Sequence, residues 1–575
     1  SLDPKRTAGL LFGRHYWVND MPDVEAALVH ALEAKGLGVF PAFTNTLRDK
    51  ATGNKGATIW SREVFLGESG SRIGALVKFL PYFTNNGGNM PAFVGDDSPA
   101  RESVCVFREL GVPIFQPVFA SSKTLEEWEA DPQGLNSEVS WAVAMPEFEG
   151  AIEPFFLGGG TLSQAGVGGT EIERRTPHPE RVERFASRIA RWLRLRNKPV
   201  AERRVAFLLN SDPCASVEAS VGGAAKLDSL ESVSRILRAM RQAGYAVDVP
   251  ESGAALIETI MERKAISEFR WTTVQEIEAK GGVLAHVDLA TYRRWFDAYP
   301  ENVRQKVAEA WGNPPGEPMN GVPAAMVLNG DILVTGVRWG NAVVCIQPKR
   351  GCAGSRCDGQ VCKILHDPSV PPPHHYIATY RWLQDGFGAD VVVHVGTHGN
   401  LEFLPGKSVG LSGACFPDLA LHEVPHVYIY NSDNPPEGVV AKRRSYAELV
   451  DHMQTVMVQS GLYDALEELD RLLGEWEQAR AGNPNRAHQL EHLIREGIAA
   501  ANLESQVSPE TSPDFATLAS RIHAALGLLR NTHMEDGMHV FGETPQGNRR
   551  VHCPVRCGTG RLVAEKVVHS PRVRA

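Results

Sequence analysis

Six side chains suited to moving protons or holding a divalent metal near neutral pH fall between positions 366 and 402: His366, His374, His375, His394, His398 and Glu402. Histidine titrates in the physiological range and is the commonest metal ligand. A glutamate in an apolar stretch such as Leu401-Glu402-Phe403-Leu404-Pro405 should lose hydration, which raises a carboxyl pKa and suits it to general-base work. A structural alternative is an ion pair between Glu402 and Lys407 or Arg443. Single histidines more often satisfy a core or cap a helix. Here two clusters, His366-Asp367-Pro368 and Pro373-His374-His375, precede a strand and turn that carry two more.

The elements that must position these groups are readable from periodicity. Asp390-Val-Val-Val-His-Val395 is a β-branched run, read as a buried strand. The glycine-bracketed Gly396-Thr397-His398-Gly399 follows at once, and a strand ending in such a loop is where α/β proteins place chemistry. Upstream, the spacing predicts a strand at Ala8–Phe12, a helix at Val24–Lys35 and a strand at Gly36–Phe40. The plan recurs as a strand at Val205–Leu209, a helix at Leu230–Ala243 and a strand at Gly244–Val249. The fold class is therefore α/β, multidomain, with parallel-sheet Rossmann-like lobes followed by a helical C-terminal region.

The expected boundaries are an N-terminal α/β lobe over 1–150, a helical connector over 151–200, a second α/β lobe over 201–345, a core over 346–450, helices over 451–545 and a basic tail over 546–575. Ser140–Glu147 reads as a strand, and the glycines from Gly158 to Gly169 as a flexible loop. The arginines of the helix over 177–197 read as a solvated face. Short helices are expected at Trp271–Ala279 and Tyr292–Tyr299, strands within Val322–Ile346, and helices at Tyr376–Asp385, Ala447–Gln459, Leu462–Ala479, Ala487–Ala500 and Phe515–Leu529. The tail from Gln546 carries seven Lys and Arg against Glu565 alone and has no periodicity, so it reads as poorly ordered.

Composition narrows the partners. A net charge of −9 argues against nucleic acid or an anionic membrane, and no apolar run reaches the roughly 20 residues needed to cross a bilayer. Nine cysteines in 575 residues make no secreted disulfide framework, so a reducing, cytoplasmic compartment is expected. Two motifs fail. Gly406-Lys407-Ser408 ends like a phosphate loop, but Leu401 replaces its first glycine; Gly410-Leu-Ser412-Gly-Ala414 lacks the second glycine of a nucleophile elbow. Neither an ATPase nor a serine-hydrolase site is expected. Cys352, Cys357 and Cys362, five apart and followed by His366, match no standard zinc or iron–sulfur spacing. They read as reduced thiols in a loop or as a transient metal-handling segment.

Gly396-Thr-His-Gly-Asn-Leu-Glu-Phe-Leu-Pro-Gly-Lys407 and Asn434-Pro-Pro-Glu-Gly-Val-Val-Ala-Lys-Arg-Arg444 resemble the hallmark segments of the large subunits of ATP-dependent tetrapyrrole chelatases, the cobaltochelatase CobN and magnesium chelatase H group. His366-Asp-Pro, Pro372-Pro-His and Tyr376–Leu383 look closer to the cobalt branch, and Thr397 to the magnesium branch. The likeness runs from about Leu10 to Gly542, in a chain less than half the usual family length and apparently shortened at its C-terminus.

The resemblance implies metal insertion into a tetrapyrrole, with ATP-Mg hydrolysed by separate AAA+ ATPase and integrin-I-like subunits. The favoured pair is Co2+ with hydrogenobyrinic acid a,c-diamide, in cobalamin biosynthesis. Mg2+ with protoporphyrin, or Ni2+ with another ring, is the nearest alternative, and a tetrapyrrole-binding protein without turnover is a third. It implies Glu402, His398 and His394 as catalytic groups, His374, His375, Lys407 and Arg443 as substrate-binding groups, and His366, His398 and Glu402 around the metal.

Overall fold

The computed structural model describes the chain except residues 1, 46–48, 50, 85–98, 164–171, 212–220, 268–271, 319–323, 351–368, 398, 431–434, 453–460, 508, 512–513, 532–537 and 544–575. The cysteine cluster, His366, His398 and the basic tail therefore lie outside the described residues.

Lobe 1 is a six-stranded sheet of β1 (Thr7–Gly13), β2 (Gly38–Thr44), β3 (Ala75–Lys78), β4 (Ile114–Thr124), β5 (Ile152–Ser163) and β6 (Ile172–Pro177), in the order β2-β1-β3-β4-β5-β6. The first five strands run parallel and β6 is antiparallel. Helix α1 (Asp23–Ala34) buries Val24, Leu28 and Leu32, one stripe at four-residue spacing, against the sheet. Helix α2 (Leu125–Ala130) follows β4, and α3 (Pro179–Asn197) follows β6.

Lobe 2 repeats the plan. Its strands are β7 (Val205–Leu209), β8 (Val283–Val287), β9 (Val327–Leu328), β10 (Asp331–Thr335), β11 (Val337–Trp339), β12 (Ala342–Ile346), β13 (Val391–Val395), β14 (His426–Tyr430) and β15 (Glu448–Asp451). The main sheet has the order β11-β12-β7-β13-β14-β15, while β8, β10 and β9 form a small antiparallel sheet inserted between β7 and β12. Taken among parallel strands only, both lobes place the second strand beside the first and the third on its other side, the doubly wound order 2-1-3-4-5. Helix α4 (Ser229–Gln242) starts at Asp228, whose carboxylate accepts from Glu231 N, and covers one face with Val233 and Leu237. On the other face α5 (His374–Arg381) is buried along its whole length. Helices α6 (Phe416–Leu421) and α7 (Pro435–Ser445) complete the lobe.

A separate core belongs to α8 (Gly461–Gly482), α9 (Pro484–Ala500) and α10 (Phe515–Asn531), where Leu469 and Trp476 pack with Leu490, Ile494 and Ile522. The turn between α8 and α9 is capped by Asn483, with Pro484 at the first helical position. Beyond α10 the chain returns to lobe 2: Phe541 N donates to Ser232 Oγ at 2.9 Å.

The parallel-sheet lobes and the helical region match expectation; several local readings do not. Val139–Phe148 is helical, not a strand: a short apolar run does not reveal its own period. Residues 151–200 are no plain connector, since β5 and β6 complete the first sheet before α3 begins. Gly158, Gly159 and Gly160 lie in β5, and a Cβ on Gly158 would stand 2.2 Å from Thr176 O of the neighbouring β6. Gly244–Val249 forms no strand; β12 takes that place after the long insertion. Within the expected helix at 447–459, Glu448–Asp451 is the edge strand β15, and 453–460 lie outside the described residues.

The arginine-rich helix α3 is the largest correction. Arg181 and Arg188 are fully buried where the lobes meet. Arg181 donates to both Asp418 oxygens at 3.0 and 3.1 Å, and Arg188 to both Glu153 oxygens at 2.7 and 2.9 Å. Bidentate pairing is what lets guanidinium groups leave water, and periodicity alone carries no sign of the partner.

Candidate active site

Strand β13 is buried over all five residues and lies between β7 and β14. Its C-terminal end therefore opens at the point where the sheet's connections diverge, the place where open α/β sheets bind ligands. There the chain turns through Gly396, whose φ is +147°; a Cβ would come within 2.4 Å of Asn210 Nδ2. A Cβ on Gly399 would stand 2.6 Å from Gln347 Oε1. These two glycines let the turn pass between the ends of β7 and β12 and deliver the short helical turn Leu401–Phe403.

Glu402 is 1% exposed. Its Oε1 accepts from Gly399 N at 3.0 Å and lies 3.4 Å from Tyr428 OH, which in turn accepts from Asn210 Nδ2 at 2.7 Å. Burial pushes the Tyr376, Tyr380 and Tyr428 phenols up, with the Glu402 charge adding to the effect, so all three stay protonated donors.

The loop that carries Glu402 is held by two cations. Arg444 donates to the carbonyls of Glu402 (2.6 Å), Leu404 (2.6 Å), Gly406 (3.2 Å) and Lys407 (3.0 Å). Lys407 extends to lobe 1 and donates to Trp128 O, Glu129 O and Asp131 O at 2.7, 2.9 and 2.6 Å, at the C-terminal end of α2. An ammonium has three donors, so Lys407 is committed to this anchorage and not to a substrate. Arg443 likewise turns to lobe 1, where it pairs with Glu147 at 2.9 Å. The alternative ion pairs from Lys407 or Arg443 to Glu402 are not formed; Glu402 receives Arg444 through its backbone oxygen. In a Lys442-Arg443-Arg444 run, each step along a helix rotates the side chain by about 100°, and nothing in the sequence marks which one faces the loop.

The histidines divide. His394, expected to accept protons from substrate, is fully buried with both nitrogens occupied: Nδ1 lies 2.7 Å from His426 Nε2, and Nε2 lies 2.8 Å from Tyr380 OH. Burial holds its pKa well below 6.5. His374, expected at the substrate, bonds Tyr292 OH at 2.7 Å and Gly312 O at 2.9 Å, with its pKa lowered to about 4 by burial. It therefore ties α5 to the insertion. His375 is buried too, with its pKa lowered to about 3, yet neither ring nitrogen has a hydrogen-bond partner among the described residues. No cluster of three or more His, Cys, Asp or Glu suited to a metal occurs among the described residues. The metal set His366, His398 and Glu402 is not tested by this, since two of its members lie outside them. Sequence reasoning missed Arg444, Gln347, Tyr380, His426 and Asn210; they are spread over five segments, and although Arg444 and Tyr380 stand in segments that carry the family resemblance, nothing there singled them out.

Comparison with known proteins gives a consistent answer. The family model described as CobN/magnesium chelatase matches residues 2–558. An uncharacterised protein of Methanocaldococcus jannaschii is 43% identical over 95% of this chain and 44% of its own length. The magnesium-chelatase H protein of Cereibacter sphaeroides is 31% identical over 94% of this chain and 41% of its own. The aerobic cobaltochelatase protein CobN of Pseudomonas aeruginosa is 34% identical over 76% of this chain and 34% of its own. The solved catalytic subunit of cobaltochelatase from Mycobacterium tuberculosis superposes with a TM-score of 0.66 at 28% identity, covering 95% of this chain and 44% of that one. This chain thus spans less than half the length of these relatives, and over that span it belongs to the CobN/magnesium chelatase family.

Proposed function

We propose that this chain forms the tetrapyrrole-binding, proton-accepting part of a metal chelatase large subunit, inserting Co2+ into a corrin precursor such as hydrogenobyrinic acid a,c-diamide. Insertion of Mg2+ or Ni2+ into another tetrapyrrole is the nearest alternative. The observation that carries the reading is Glu402, a buried carboxylate at the end of the central strand, among phenols that remain protonated.

The chemistry asks for such a group. As M2+ enters the ring, two pyrrole N–H protons leave, and the products are the metallated ring and two protons. A carboxylate held by Gly399 N and Tyr428 OH accepts one proton at a time and passes it on, while burial keeps water from competing for the incoming ion. Arg444 fixes the loop from the backbone side, through the Glu402 carbonyl. His394 and His374 are internally bonded, so His375, His398 and His366 are the imidazoles left in the proposal for handling the metal; imidazole suits Co2+ or Ni2+ better than Mg2+. ATP hydrolysis is assigned to AAA+ and integrin-I-like partner subunits, in the cytoplasm.

Glu402→Gln tests this. With partner subunits supplied, the variant is expected to lose insertion by at least about a hundredfold while its Soret-band titration with tetrapyrrole is unchanged. Full insertion by the variant would remove Glu402 from the chemistry. A wild-type chain that binds the ring but never metallates it in the full assembly would favour the non-catalytic binding protein.

A further inference from the structure

A chain of hydrogen bonds crosses the interior of lobe 2, and its direction is fixed at both ends by backbone groups with a single role. At one end Ser445 O, 2.8 Å from His426 Nδ1, can only accept, so that nitrogen carries the proton. Burial keeps both imidazoles neutral, so His426 Nε2 is a bare acceptor, and His394 Nδ1, 2.7 Å away, must donate to it. His394 Nε2 is bare in turn and accepts from Tyr380 OH at 2.8 Å. The phenol oxygen accepts from Gln347 Nε2 at 2.9 Å. At the far end Gln347 Oε1 accepts from Asn400 N at 2.8 Å, a group that can only donate, which fixes the orientation of the carboxamide. Each imidazole therefore exists as the neutral Nδ1–H tautomer. His394, His426, Tyr380 and Gln347 are each no more than 2% exposed.

The chain orients and does not conduct. A carbonyl at one end takes up no proton, and the carboxamide at the other passes none along. What it reaches is the turn that bears Glu402: Asn400 is two residues upstream, and Gly399 N is the donor on the carboxylate. Its other end lies on α7 at Ser445, directly after Arg444, which holds the Glu402, Leu404, Gly406 and Lys407 carbonyls. The last two residues of one helix thus grip the same turn from two sides, Arg444 directly and Ser445 through four side chains.

We propose that His426 and His394 are positioning residues, which set the Tyr380 hydroxyl and the Gln347 carboxamide and through them the Gly399–Glu402 turn. This rests on Glu402 as the proton acceptor, and it changes the role of His394 from a group that meets substrate to one that places the group that does.

Two substitutions at His426 separate placement from bulk. Glutamine offers one acceptor and one donor, as the imidazole does; leucine offers neither at similar volume. In the assembled chelatase, His426→Leu is expected to lower kcat about 10- to 100-fold with the KM for tetrapyrrole within about twofold, and His426→Gln to recover most of the loss. A folded leucine variant with wild-type kcat, or a glutamine variant damaged as badly as leucine, overturns the proposal. If the leucine variant fails to fold, Tyr380→Phe removes one donor at almost constant volume, and about a fivefold or greater fall in kcat is expected; unchanged kcat counts against the chain. NMR of the wild-type chain labelled with 15N-histidine decides independently of activity. Two neutral Nδ1–H signals are expected, one lost and the other shifted in His426→Gln; an Nε2–H tautomer or an imidazolium at either site refutes the chain. That result stands even if Glu402 proves not to be the base, so the two readings fail separately.

Discussion

Both lobes end their third parallel strand with a polar side chain sealed inside the protein, and they solve the burial differently. In lobe 1 the last residue of β3 is Lys78, fully buried, donating to Leu80 O at 2.9 Å and Tyr82 O at 3.0 Å and paired with Glu149 at 3.2 Å. Burial lowers the lysine pKa, and Glu149 pulls against it. In lobe 2 the next-to-last residue of β13 is His394, neutral and held in a chain of neutral groups. In lobe 1 the buried group is thus charged and paired. The neutral chain of lobe 2 runs to the turn that bears a buried carboxylate, Glu402. One strand order thus buries an ion pair in one place and a neutral chain beside the candidate site in the other.

The sharpest way to break this contrast is Lys78→Met, which leaves Glu149 buried with Thr84 and Ser103 but without its cation. A loss of about 3–5 kcal/mol in denaturant unfolding is expected, mostly recovered by pairing it with Glu149→Gln. Recovery would show that the pair serves stability alone.

Acid should act first on lobe 2. His374, His375 and His426 have folded values of about 4, 3 and 4 against 6.5 when free. The unfolded chain therefore binds more protons below pH 6.5, and the stability present above that pH is lost as pH falls toward the folded values. Each group costs about 1 kcal/mol over this first unit, because the unfolded histidine is only half protonated at pH 6.5, so about 3 kcal/mol disappears between pH 6.5 and 5.5. Amide exchange read along α5 and β14 should show protection falling there before β3; uniform loss would erase the distinction.

Arg444→Ala removes four donors from the Glu402 loop. It should cost about 2–3 kcal/mol and reduce insertion more than Arg443→Ala, which breaks only the link to Glu147. Equal effects of the two on insertion would deny Arg444 its place. The smallest change is at His375. Leucine there removes two buried nitrogens that bond to nothing described, and should raise stability by about 1 kcal/mol while weakening metal or ring binding. Raised stability with binding intact would leave His375 without a ligand role.

Much of the scaffold was legible in the sequence. The β-branched run at 391–395, the glycines on either side of Thr397 and the apolar stripe of α1 each follow from short-range patterns. The burial of Glu402 was legible too, from the apolar stretch around it, whereas the alternative of an ion pair to Lys407 or Arg443 stood equally open. What stayed hidden depends on pairing between distant segments. Arg181 looks solvated until Asp418 is placed beside it, 237 residues later. Lys407 and Arg443 look like substrate-binding groups until their partners on lobe 1 appear. His394 looks reactive until His426 and Tyr380 occupy its nitrogens.

The anchorage of Lys407 on the end of α2 has a mechanical side. Trp128, beneath that ammonium, also donates its indole N–H to Gly410 O at 3.0 Å, so the segment leaving Glu402 is stitched to lobe 1 at both 407 and 410. Arg444 grips the same segment from lobe 2. A rotation of one lobe against the other would have to break one of these contacts or carry the Glu402 loop with it.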